Sequence, residues 1–150
     1  MKVINANITH LQDIYAIECE SFSTPWSVSI IKDIVEDTNM INYVALSSEA
    51  QTDKTTLTGY TFMLDGYEEG HIENIAVSPH YRGTGVGALL MNALIEEATK
   101  RGIPSITLEV RQGNRPAMAL YHKYGFKVAG YRRNYYQDPS EDAIIMRRTI

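Results

Sequence analysis

Apolar positions early in the chain recur at helical spacing. Leu11, Ile14 and Ile17 fall on one face of a predicted helix around 9–21, preceded by a short strand near residues 2–5. Pro25-Trp26-Ser27 breaks that pattern, and Ser27 is placed to cap a second helix in which Ile30, Ile31, Ile34 and Val35 repeat at helical spacing. The period then shortens. Residues 42–47 and 57–65 read as strands, with the polar segment 48–56 as the hairpin loop between them. A strand over 70–77 runs into Pro79, and a helix from about 85 to 101 carries Leu89, Leu90, Ala93, Leu94 and Ala98 inward until Gly102 stops it. Strand 105–111, a short helix 115–123 and strands near 126–136 and 142–148 complete the order. Helices and strands thus alternate around one mixed sheet, an α/β (α+β) arrangement. No linker, repeat or low-complexity stretch interrupts it, so residues 1–150 are expected to form a single domain.

Strand 105–111 carries the first candidate chemistry. Its alternation puts Ile106, Leu108 and Val110 on one face and Thr107, Glu109 and Arg111 on the other. Glu109 is then a mid-strand carboxylate whose apolar flanks should desolvate it and raise its pKa toward that of a usable base. An exposed glutamate paired with Arg111 or another cation satisfies the same pattern. Glu73 is a second strand carboxylate, and His71-Ile72-Glu73 mimics the His-x-Glu of zinc deaminases without the Pro-Cys-x-x-Cys that would complete it. The other histidines, His10, His80 and His122, show no ligand spacing and are expected on the surface.

Composition narrows the class. A chain of 150 residues with 44% hydrophobic content and a net charge of −4 is an ordinary globular protein, long enough to bury roughly 70% of its unfolded surface. Cys19 is the sole cysteine, which excludes an internal disulfide and a thiolate zinc cage from this chain alone; it is expected as buried filler on a helix. The start offers no signal-like apolar segment and no run approaches membrane-spanning length, so the protein is expected in the cytoplasm. Charge is unevenly divided, with 3 Lys/Arg against 12 Asp/Glu in residues 1–80 and 11 against 6 in residues 81–150. An anionic cosubstrate on the second half and a cationic acceptor on the first would use both fields. No basic cluster with interleaved aromatics suggests nucleic acid.

Residues 74–90 hold the strongest motif. An apolar strand breaks at Pro79 into an Arg/Gly-rich turn that enters a helix, so Gly83, Gly85 and Gly87 let consecutive N–H groups converge on a phosphate at the positive end of the helix dipole. The spacing lacks the third glycine of a G-x-G-x-x-G turn, and no Gly-Lys-Ser/Thr follows.

Arg82-x-x-Gly85-x-Gly87 resembles the Arg/Gln-x-x-Gly-x-Gly/Ala turn of the GNAT N-acetyltransferase family. Downstream, Leu108-Glu109-Val110-Arg111, Asn114, Ala119-Leu120-Tyr121 and Gly125-Phe126 keep that family's order. Pro25-Trp26-Ser27, Arg132-Arg133-Asn134-Tyr135-Tyr136 and Glu141-Asp142-Ala143-Ile144-Ile145-Met146 are similar to the RimI-type branch, which acetylates the N-terminal alanine of ribosomal protein S18. The resemblance spans nearly the whole chain. It implies a mixed, mostly antiparallel sheet of six to seven strands with four helices, two strands being splayed into a cleft. It also implies acetyl-CoA as cosubstrate, held by Ile75, Ala76, Val77, Arg82, Gly83, Thr84, Gly85, Val86, Gly87, Ala88 and Asn114, with no metal. Glu109 would be the general base and Tyr121 the general acid, although other branches draw their base from the strand that carries Glu73. Trp26, Glu73, Tyr131, Tyr135 and Tyr136 would contact the acceptor, the S18 N-terminus, in a monomer or weak dimer with neither nucleic acid nor membrane as partner. A small-amine acetyltransferase and a non-catalytic acyl-CoA-binding module remain alternative readings.

Overall fold

The structure, a computed structural model, describes residues 1–150. Seven strands form one open sheet: β1 (Lys2–Asn5), β2 (Met40–Ser48), β3 (Thr55–Asp65), β4 (Gly70–Val77), β5 (Ser105–Arg111), β6 (Lys127–Tyr136) and β7 (Glu141–Thr149), in the order β1-β2-β3-β4-β5-β7-β6. All neighbours are antiparallel except β4 and β5. Four helices cover it: α1 (Leu11–Ser21), α2 (Val28–Glu36), α3 (Val86–Arg101) and α4 (Arg115–Lys123).

The strand period divides the core between the two faces. Val44, Tyr60 and Phe62 pack against Ile14 and Ile17 of α1 and Ile31 of α2, while Ile41, Met63, Ile106 and Met146 pack against Met91, Leu94 and Ala98 of α3. At Gly59 an added Cβ would lie 2.8 Å from Val86 Cγ1 and 2.9 Å from the Ala76 carbonyl. Only glycine lets the start of α3 sit this close to β3 and β4.

Local signals set the helix ends. Ser27 accepts from the Ile30 N–H at 3.2 Å, capping α2. Gly102, at φ 71, closes α3 in the left-handed conformation. Helix phase departs from expectation at three places. Leu89 is 38% exposed and Met91 is buried instead, because the inward stripe of α3 runs Val86, Leu90, Met91, Leu94, Ala98. Ile30 is 46% exposed, leaving Ile31 as the fully buried residue of α2. Cys19 is exposed rather than buried filler, since the inward face of α1 is Ile14, Ile17 and Glu18. Of the other histidines, His80 and His122 are exposed and His10 is half-buried, its ring accepting the Asn7 N–H at 3.1 Å.

The feature that makes a site is a failed pairing. β4 and β5 pair only at Gly70↔Ile106, His71↔Thr107 and Ile72↔Leu108, then diverge, although β4 continues to Val77 and β5 to Arg111. Against β3, Asn74 faces Phe62 and Ile72 faces Met63, so Glu73 is an inserted bulge residue at the point where the strands part. A bulge bends and further twists its strand.

Candidate active site

The divergence opens a cleft of ≈ 610 Å³ between β4 and β5. A larger hollow of ≈ 800 Å³ lies between β1 and α3, but Lys2, Glu96, Glu97 and Lys100 along it form no chemical constellation. The cleft instead gathers Trp26, Glu73, Ile75, Glu109, Asn114, Tyr121, Tyr135 and Tyr136.

One rim is the glycine turn. Gly83 and Gly85 have φ of 76 and 94, and a Cβ on either would meet nothing within 4 Å, so the turn bounds open space. The first helical bond of α3 runs from the Leu89 N–H to the Gly85 carbonyl at 3.1 Å. The N–H groups of Gly83, Gly85, Val86, Gly87 and Ala88 therefore have no protein acceptor, whereas Thr84 donates to the Tyr81 carbonyl at 3.3 Å. Arg82 is turned back, its Nε donating to the Val77 carbonyl at 3.3 Å. What results is an anion cradle made of backbone.

The outer edge of β4 adds two more donors. The Ser78 N–H bonds the Thr58 carbonyl at 2.8 Å, so the alternation of an antiparallel ladder turns the amide of Ala76 toward β3 and those of Ile75 and Val77 toward the cleft. Ala76, grouped with its neighbours on sequence grounds, is thus committed to the sheet through its backbone.

Glu109 is held from both sides. Its Oε2 lies 2.8 Å from His71 Nε2 and its Oε1 accepts from Arg132 Nε at 3.2 Å. Expected among apolar flanks, the carboxylate instead has polar partners on two other strands: parallel pairing sets His71 of β4 beside β5, and Arg132 reaches it from β6, across β7. Arg111 is not its partner. That guanidinium bonds Glu141 at 3.2 Å, the Pro139 and Gln137 carbonyls at 2.9 Å each, and lies 4.5 Å over the Tyr136 ring. Sequence reasoning passed over His71 as half of an incomplete zinc motif. Its other nitrogen contacts Thr107 Oγ1 at 3.0 Å, Thr107 donates to Glu69 at 3.1 Å, and Glu69 pairs with Arg147 at 3.2 Å. A hydrogen-bonded chain therefore links the cleft carboxylate to the outer surface.

The aromatic residues define the remaining walls. Tyr121 is buried on α4 with its ring 6.0 Å from Phe126. Burial, with the Tyr136 phenol nearby, pushes Tyr121 above the usual tyrosine range, and no hydrogen bond contributes. Tyr136 is pushed up to about 12 by burial and then by Tyr135, which meets it edge-on at 5.0 Å. Tyr131 stands apart. It is 66% exposed and outside the cleft, because Arg132, its neighbour in an alternating strand, turns inward to Glu109. Asn114 accepts from the Ala117 N–H at 3.2 Å, capping α4 and leaving its amide nitrogen free to serve the cleft.

Residues 10–126 match the acetyltransferase (GNAT) family. The chain belongs to that family. A GNAT relative, the [ribosomal protein bS18]-alanine N-acetyltransferase of Escherichia coli (strain K12), is 36% identical over 140 residues, 92% of this chain and 90% of its own. The crystal structure of the ribosomal-protein-S18-alanine N-acetyltransferase from Escherichia coli superimposes with TM-score 0.86 at 33% identity, covering 99% of this chain and 93% of that one. Ard1 from Thermoplasma volcanium follows at TM-score 0.85 and 26% identity, with 99% and 97% covered. The GNAT fold accounts for the mixed open sheet, and the protein is an acetyltransferase. No helix is long and apolar enough to cross a membrane.

Proposed function

We propose that this enzyme transfers the acetyl group of acetyl-CoA to the N-terminal α-amine of a protein, the N-terminal alanine of ribosomal protein S18 being the acceptor. The likeness to the Escherichia coli bS18-alanine N-acetyltransferase over nine-tenths of both chains carries this reading.

The residues present fit the cosubstrate. Five unpartnered amides and the start of a sixteen-residue helix suit a pyrophosphate, and open space over Gly83 and Gly85 leaves room for it. Bound there, acetyl-CoA supplies an activated thioester. The protein then has three tasks. An α-amine of pKa near 8 is mostly ammonium at neutral pH, so Glu109, directly or through a water, removes its proton. The outward amides of Ile75 and Val77 address the carbonyl oxygen as charge gathers there. Tyr121 offers its phenol to the departing sulfur, while Trp26, Glu73, Tyr135 and Tyr136 flank the acceptor.

An Ala-initiated S18 peptide should be acetylated with kcat/KM at least about 100-fold above polyamines, amino acids and aminoglycosides, as followed by thiol release and mass spectrometry. A small amine outperforming the peptide would replace the acceptor assignment. The cradle is tested separately. A Cβ at position 85 would meet no protein atom within 4 Å in the free enzyme, and a valine there would occupy the phosphate space, so Gly85→Val should raise the acetyl-CoA Kd at least about 100-fold, with roughly 1–2 kcal/mol lost to its left-handed backbone. Arg82→Ala should cost only about 3–10-fold, since backbone amides form most of the site. Calorimetry showing full affinity in Gly85→Val would remove the cradle.

A further inference from the structure

Glu18 lies inside the protein without a cation. It is 2% exposed, on the inward stripe of α1 with Ile14 and Ile17. Its Oε1 accepts from the Tyr60 hydroxyl and from Asn74 Nδ2, the latter at 2.8 Å, while its Oε2 accepts from the Trp26 N–H at 2.9 Å. These donors come from β3, β4 and the segment before α2, and all are neutral. None of the protein's ion pairs includes Glu18.

A buried carboxylate is costly unless a positive charge answers it. Hydrogen bonds offset part of that cost, and three donors with no acceptor are the complement of the ionised form. A carboxylate offers about four lone-pair sites. The one left over belongs to Oε2, and Glu18, Asn74 and Trp26 all line the cleft. The two other acidic residues there are differently placed: Glu109 is bridged by His71 and Arg132, and Glu73 is exposed to solvent. A glutamine could accept from Tyr60 and Asn74 but would turn its amide nitrogen toward the Trp26 N–H, so only a carboxylate answers all three donors.

We infer that Glu18 is a specificity-determining residue, the counter-charge that the cleft holds for the cationic ammonium of the acceptor. The inference rests on the reading of the cleft as an acceptor-amine site. An entering ammonium completes the carboxylate's coordination and gains more than it would in water, because little solvent screens the pair. The residue thereby favours an amine over a neutral group of equal shape. Once acetylated, the acceptor has no charge to offer and loses that attraction, which favours product release.

The test is a ratio of dissociation constants, measured by calorimetry on the coenzyme A-saturated enzyme. The probes are an Ala-initiated peptide and its des-amino analogue, which begins with a propionyl group. Wild type should bind the amine at least about 10-fold more tightly, and Glu18→Gln should bring the two within about 3-fold. Glu18→Asp, which keeps the charge, should preserve most of the preference. A merely structural Glu18 would weaken both peptides together and leave the ratio where it was, which overturns the inference, as does a wild type without preference. If Glu18→Gln does not fold, Tyr60→Phe decides: it removes a neutral donor while keeping the carboxylate, so the ratio should rise, and an unchanged or falling ratio overturns the inference. The acceptor reading fails differently, through wild-type enzyme that acetylates no amine-terminated peptide.

Discussion

Glu109→Gln is expected to lower kcat/KM on an Ala-initiated peptide about 10²–10⁴-fold while leaving the acetyl-CoA Kd within about 2-fold. The substitution keeps the side-chain shape and an oxygen for Arg132 but cannot take a proton. The glycine turn is built from separate backbone, so cosubstrate affinity should not follow. Glu73→Gln should cost less than about 10-fold, because Glu73 is an exposed bulge residue without the His71 and Arg132 contacts that orient Glu109. An active Glu109→Gln alongside a crippled Glu73→Gln would move the base to β4.

Tyr121→Phe should lower kcat by about 10²–10³ with Kd values for peptide and acetyl-CoA unchanged. The hydroxyl makes no hydrogen bond within the protein, so its removal leaves no buried partner unsatisfied and should shift the denaturation midpoint very little. That separates a chemical role from a packing one. Burial raises the phenol's pKa, which makes Tyr121 a weaker acid than free tyrosine and keeps it protonated throughout any practical assay range. It therefore works as a hydrogen-bond donor whose proton moves only as the sulfur gains charge, and the alkaline limb of the wild-type profile should not belong to it. Full kcat in the phenylalanine variant would leave Tyr121 as packing against Phe126.

Much of this molecule could be read from neighbours in sequence. Ser27 caps a residue three positions away, Gly102 ends its own helix, and the turn from Arg82 to Ala88 is contiguous. Each is a local interaction. Glu18 could not be read this way, since hydropathy assigns a carboxylate to water and the groups that retain it inside, Tyr60 and Asn74, lie 42 and 56 residues away. Cys19, expected as buried filler on a helix, faces solvent for the same reason: Glu18, with Ile14 and Ile17, occupies the inward positions of α1. His71 meets Glu109 only because β4 and β5 are adjacent and parallel across an intervening helix, a fact of topology rather than spacing. Tyr135 and Tyr136 both reach the cleft although strand alternation forbids it for consecutive residues. Asn134, at φ 49 within a stretch of shifted register, breaks the alternation there, and Tyr131, in the regular part, remains outside.

The bulge at Glu73 makes the length of β4 matter as much as its chemistry. Substitutions at that position alter one exposed side chain, but losing the residue would be a different kind of lesion. With residue 73 gone, Met63↔Ile72 and Phe62↔Asn74 would become consecutive pairs of an unbroken ladder. His71 and Ile72 would keep their faces, but the bend that parts β4 from β5 would be lost. Families that keep this active site should therefore tolerate many letters at position 73 and no gap.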